Sequence, residues 1–108
     1  MKPLRFVDSS RDDLRDMPAE ARHELGLDLM AVQYGGEPRD FKPMPGVGAG
    51  ACEIRYRDAT GAFRVIYVAK FADAVYVLHA FQKKAEKTPR PDLDLAAHRY
   101  RKLIGTLK

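Results

Sequence analysis

From Ala51 onward the chain alternates apolar and polar residues with a period of two. "CEIRYRD" sets Cys52, Ile54 and Tyr56 against Glu53, Arg55 and Arg57. After the turn "DATG", where Gly61 can take a positive backbone angle, "AFRVIYVAK" repeats the pattern, and "AVYVLHAF" follows "FAD". Successive side chains on a strand point to opposite faces, and connections this short favour an antiparallel meander. The alternation predicts that Arg64, Ile66, Val68 and Lys70 share one face, with Phe63, Val65, Tyr67 and Ala69 on the other. On the next strand it sends Val75, Val77, His79 and Phe81 one way and Tyr76, Leu78 and Ala80 the other.

The pattern before the meander is helical. "LRFV", residues 4–7, reads as a short strand, and "SSRDD" offers capping-box spacing at Ser9 with Asp12 or Ser10 with Asp13, for a helix reaching about Met17. Pro18 opens a second helix, on which Ala21, Leu25, Met30, Ala31 and Tyr34 recur at roughly helical period until Gly35 and Gly36 stop it. "GGEPRDFKPMPGVGAG" reads as a loop. The last segment predicts a helix with Thr88 as N-cap, Pro89 at its first position, Asp92 and Asp94 near its positive end, and an apolar stripe of Leu93, Ala96, Ala97, Tyr100 and Ile104. The sheet needs cover on one face, and the helices of the first half can supply it. The expectation is a single α+β domain over residues 1–108.

Composition narrows the class. With 45% apolar and 31% charged residues, the chain has the balance of a soluble globular protein. No apolar run approaches the roughly 20 residues of a membrane span. "MKPLRFVDSS" does not have the form of a signal peptide, so the expected compartment is the cytoplasm. Cys52, the single cysteine, excludes an intramolecular disulfide, and its strand neighbours suggest a packed thiol. His23, His79 and His98 lack ligand spacing, and Gly46, Gly48 and Gly50 lack the lysine and following helix of a phosphate loop. No metal or cofactor is therefore expected.

Charge is concentrated. Residues 82–108 carry Lys83, Lys84, Lys87, Arg90, Arg99, Arg101, Lys102 and Lys108 against Glu86, Asp92 and Asp94, while the whole chain is only +4. Such a local field attracts polyanions or simply keeps a small protein soluble. If the polar strand faces coincide, Glu53, Arg55, Arg64 and His79 converge, with Lys83 and Lys84 at the rim. That set has the parts needed to cleave RNA through its 2′-hydroxyl: arginine forks for phosphate, a histidine that titrates near neutrality, lysines along the backbone, and Phe81 or Tyr67 to stack on a base. Each part also has a plain structural reading. Glu53 with Arg55 can be an ion pair worth about 0.2–1 kcal/mol, His79 a satisfied structural histidine, and Phe81 core.

The run "EIRYRDATGAFRVIYVAKFADAVYVLHAFQKKAEKTPRPDLDLAAHRYRKLI" resembles the phage-derived HigB-like branch of the RelE/ParE toxin superfamily. The likeness rests on the Glu-x-Arg strand, "FRVIY", "LHAFQKK" and "KTP", covers residues 53–104 closely, and touches the N-terminal helices loosely. It implies N-terminal helices packed on a small twisted, mainly antiparallel sheet, with a C-terminal helix. It also implies a type II toxin that cleaves messenger RNA on the ribosome without a metal. Its partner would be a helix-turn-helix antitoxin, through which alone it would meet operator DNA. On this likeness Arg64, His79, Lys83 and Arg55 are the catalytic candidates and Lys84 an RNA-binding one; Lys87, Phe81 and Lys70 join the RNA-binding candidates on their charge or ring alone. Phe81 stands where several superfamily members carry a tyrosine, and a phenyl ring cannot exchange a proton. A ParE-like gyrase poison and a non-toxic phage-derived binding protein are the alternative readings on the same scaffold.

Overall fold

The period-two segments pair as strands in a computed structural model that describes residues 1–84 and 86–107. Lys108, counted above in the basic C-terminal quarter, lies outside the described residues. In chain order the elements are β1 (Leu4–Phe6), α1 (Ser10–Arg15), α2 (Ala19–Gln33), β2 (Phe41–Pro43), β3 (Ala51–Asp58), β4 (Gly61–Val68), β5 (Val75–Lys83) and α3 (Arg90–Thr106). They form an α+β domain around one sheet of order β1-β5-β4-β3-β2. The pairs β5–β4, β4–β3 and β3–β2 are antiparallel, and β1 joins β5 in parallel. Gly61 turns between β3 and β4 with a φ of 142°, as the turn sequence predicts. Among the described residues no helix is long and apolar enough to cross a membrane.

Helices cover both faces. On one, Leu25, Leu29 and Val32 of α2 pack with Met17 against Ile54, Val65, Val75 and Val77. On the other, Ala96, Tyr100 and Leu103 of α3 pack with Met44 and Val47 against Ile66, Val68 and Leu78. The expectation that first-half helices supply the cover accounts for one face only, and the mixed sheet begins with β1, ahead of the helices.

Several local readings need correction. Met30 and Tyr34, placed on the buried stripe of α2, are 49% and 71% exposed, and Leu29 and Val32 take the inner positions. The Gly/Pro-rich loop contains β2, where Phe41–Pro43 pairs with Cys52–Ile54. Ser9 is the N-cap residue of α1, yet its hydroxyl donates to Asp13 Oδ2 at 3.2 Å rather than capping a backbone N–H. Thr88 does not cap α3; Pro89 holds that position, and the Thr88 hydroxyl donates to Glu53 Oε2 at 2.7 Å.

The largest correction concerns β5. Tyr67 pairs with Val77 and Ile66 with His79, so Leu78 is an extra residue, a β-bulge. Val75 and Val77 face α2, whereas Tyr76, Leu78 and Phe81 join the cluster under α3. The unbroken alternation of Val75, Val77, His79 and Phe81 therefore does not put them on one face.

Candidate functional site

Strand register arranges the polar residues in rows. Glu53, Ile66 and His79 stand side by side on β3, β4 and β5; Arg55, Arg64 and Phe81 form the next row; Arg57, Ala62 and Lys83 form the third. Residues two apart on a strand share a face, so all three rows lie on the side of the sheet that carries α3. The structure thus brings together Arg55, Arg64, His79, Phe81 and Lys83. Lys84 and Lys87 are exposed on the connection to α3. Lys70 lies past the end of β4, its ammonium 5.3 Å from the Phe71 ring centre and 5.8 Å from that of Tyr100, apart from the arginines.

The short length of β2 opens the site. Its ladder with β3 starts at Phe41 opposite Ile54, and the last bond on that side runs from Arg55 N–H to the Asp40 carbonyl at 2.9 Å. Beyond it the edge of β3 is uncovered. A cavity of about 430 Å³ sits there, lined by Arg55, Arg57, Arg64, Tyr56 and Asp40, with the Asp28–Arg39 ion pair beside them. Arg57 belongs to the site although it was not among the candidates. The signal available was its place two residues beyond Arg55 on the same strand face.

A buried carboxylate organises the cations. Glu53 is 1% exposed, and its Oε1 lies 3.6 Å from Arg64 Nε and 3.9 Å from Arg55 Nε. Both Nε atoms are buried without a hydrogen-bond partner, while Arg64 Nη1 donates to the Phe63 carbonyl at 3.0 Å. Burial pulls the Arg64 guanidinium below its ordinary pKa; Glu53 opposes the shift, and Arg55 and Arg57 add to it. Burial and then the Arg64 charge pull the Lys83 ammonium down as well, and Lys83 Nζ donates to the Glu86 carbonyl. A cluster of cations that depress one another holds an anion well, because a bound phosphate relieves their repulsion.

His79 sits deeper. It is 6% exposed, its Nε2 is 2.7 Å from Asp92 Oδ1 at the start of α3, and its Nδ1 is buried without a partner. Its ring stacks on Phe81, with centroids 4.8 Å apart and planes at 18°. The imidazole supports the Phe81 ring from within the fold, and Asp92 fixes its orientation.

Compared with known families, residues 12–101 match the one described as Phage derived protein Gp49-like (DUF891). No curated protein matches the chain.

Proposed function

We propose a function from one premise: the chain belongs to the Gp49-like family of phage-derived proteins. It is the toxin of a type II toxin–antitoxin pair, a metal-independent endoribonuclease that acts on messenger RNA at the ribosome. The observation that supports this reading is that Arg55, Arg57 and Arg64 line an open cleft at the uncovered edge of β3, with Lys83 on the same sheet face across Ala62 from Arg57. Three arginine forks and a lysine suit a phosphodiester whose charge grows as it is attacked. The likeness of the meander to the RelE/ParE superfamily supports the same reading.

In this mechanism the ribose 2′-hydroxyl attacks phosphorus, its proton passing to solvent water, and the bond to the 5′-oxygen breaks, leaving a 2′,3′-cyclic phosphate and a 5′-hydroxyl end. Arg64 and Arg55 hold the non-bridging oxygens, and Arg57 binds the adjoining phosphate. Lys83, whose proton is loosened by its surroundings, gives it to the departing 5′-oxygen. Phe81 backs the site, Lys84 and Lys87 extend the basic rim, and His79 acts as a positioning residue beneath Phe81. Asp92 occupies Nε2, and Nδ1, the nitrogen left for acid or base work, is buried. The partner is a helix-turn-helix antitoxin.

Controlled expression with transcript ends mapped in the first minutes tests the proposal. New internal ends that vanish in Arg64→Ala are the expected result. Growth arrest with intact transcripts would replace the nuclease with a gyrase or other protein target, and no arrest would leave a non-toxic binding protein.

A further inference from the structure

The bulge at Leu78 decides which residues of β5 face the arginines. Upstream of it, Val75 and Val77 point toward α2; downstream, Ala80 takes that side, and His79 lies opposite Ile66, Phe81 opposite Arg64, and Lys83 opposite Ala62. Without the extra residue, the alternation that buries Val75 and Val77 would carry His79, Phe81 and Lys83 to the α2 face. A bulge also leaves backbone groups outside the ladder, and at a buried position these need other partners.

Arg99 meets that need. It is 5% exposed on α3, and its Nη1 donates to the Leu78 carbonyl at 2.9 Å. Its Nη2 donates to Ser9 Oγ at 2.9 Å, and the carboxylates of Asp8 and Asp13 lie 3.7 and 3.8 Å from the guanidinium. On the neighbouring peptide, the Val77 carbonyl accepts from Val7 N–H and from the Ser10 hydroxyl, each at 3.0 Å. The bulge is thus gripped from α3 and from the start of α1. A buried cation with two acidic neighbours is an elaborate way to satisfy one carbonyl unless the position of that carbonyl matters.

We infer that Arg99 is a positioning residue: by holding the Leu78 bulge it keeps His79, Phe81 and Lys83 on the arginine face. It touches no substrate and acts only through the register of β5. The claim that this register serves RNA cleavage rests on the proposed function; the claim that Arg99 sets the register does not.

The test compares Arg99→Met and Arg99→Lys in the full chain by NMR, reading contacts of the His79 and Phe81 rings with Ile66 alongside amide exchange at residues 78–81. Binding of a short single-stranded RNA is measured in parallel. The inference predicts that the ring contacts weaken and exchange at 78–81 quickens at least tenfold in Arg99→Met, with the signals of Leu25 and Leu29 unchanged and RNA affinity down about tenfold. Arg99→Lys, which can still reach one carbonyl, recovers part of each. Ring contacts and exchange that stay at wild-type values in a folded Arg99→Met overturn the inference. Should Arg99→Met not fold, the lysine variant decides: wild-type exchange at 78–81 overturns the inference, and selective loosening there supports it. Loosening in the variants, together with a wild-type chain that neither binds nor cuts RNA, would uphold the positioning role and remove the proposed function.

Discussion

The Thr88 hydroxyl donates to the buried Glu53 carboxylate at 2.7 Å, so the segment entering α3 is tied to the residue that holds the arginines. Glu53 and His79 occupy one cross-sheet row on either side of Ile66, and each secures one end of the same short stretch, Thr88 and Asp92. The site and the helix beside it are therefore fixed by the same two side chains.

Removing the charge of Glu53 should be felt in stability before activity. Glu53→Gln leaves Arg64 buried beside a neutral amide, a loss of about 1–3 kcal/mol for a buried charged contact. For a chain of this size that corresponds to a fall in Tm of roughly 4–8 °C per kcal/mol. Thermal unfolding followed by circular dichroism checks it, and an unchanged Tm would show that the carboxylate does not hold the cluster.

Activity should depend on the arginines far more steeply. Losing one preorganised donor to a developing oxyanion costs about 10²–10³ in rate, and Arg64→Ala is expected in that range with the fold intact. Arg57→Ala should lower RNA affinity and reduce the slope of log affinity against log salt by about 0.7, the share of one phosphate on a single strand. Titrations at several salt concentrations distinguish the two roles.

The two roles for His79 separate in the ring itself. Phenylalanine keeps a flat ring to stack on Phe81 but has no nitrogen, so if the imidazole exchanged protons with RNA directly, His79→Phe would lower cleavage as far as His79→Ala. As a positioning residue His79 is needed for its ring, so His79→Phe should keep much of the cleavage that His79→Ala loses. Single-turnover rates on one RNA substrate for the two variants decide between them.

Two pH effects follow from the charged groups. Lys83 titrates below its ordinary value of 10.5, so as a proton donor it loses activity as pH rises through that lowered pKa, before 10.5 is reached. Asp58 accepts from the Thr60 hydroxyl at 2.6 Å and the Thr60 N–H at 2.8 Å, and these bonds hold its carboxyl below the ordinary 3.8. The unfolded chain then binds the extra proton first, so this stabilisation is complete above pH 3.8 and disappears as pH falls through the lower folded value. Asp58→Asn should flatten that part of the acid-unfolding curve.

Gly48 and Gly46 should respond differently to alanine. A Cβ at Gly48 would lie 2.5 Å from the Tyr100 ring, whose hydroxyl donates to the Ala49 carbonyl at 2.8 Å, whereas a Cβ at Gly46 would meet nothing within 4 Å. Gly48→Ala is expected to cost about 1–3 kcal/mol, the usual penalty for overpacking, and Gly46→Ala little. Denaturant midpoints of the two variants give the comparison.

Much of this arrangement is legible in the alternation of apolar and polar residues. The strands carrying Arg55 and Arg64 read clearly because β3 and β4 are long and their alternation is regular. β2 is hidden, since three residues between prolines and glycines give no period to detect. The bulge is hidden for a different reason: Val75, Val77, His79 and Phe81 form a flawless alternation, and only the partner strand and Arg99 reveal that the count slips by one. The convergence of Arg55, Arg64 and His79 is real, but the single-sequence face assignment for β5 reaches it by skipping that slip. Asp92, read as a dipole-complementing acid, also has a tertiary partner in His79 that no local pattern encodes.

The contact between Arg99 and Ser9 joins positions 90 apart in sequence. Loop closure on that scale is entropically costly, and contacts of high sequence separation form late in folding. A refolding chain should therefore recover its helices and the β3–β4 hairpin with its three arginines first, and the register that sets His79, Phe81 and Lys83 beside them last. For a protein proposed to act on RNA, this order would keep a half-folded chain harmless until its two ends have met.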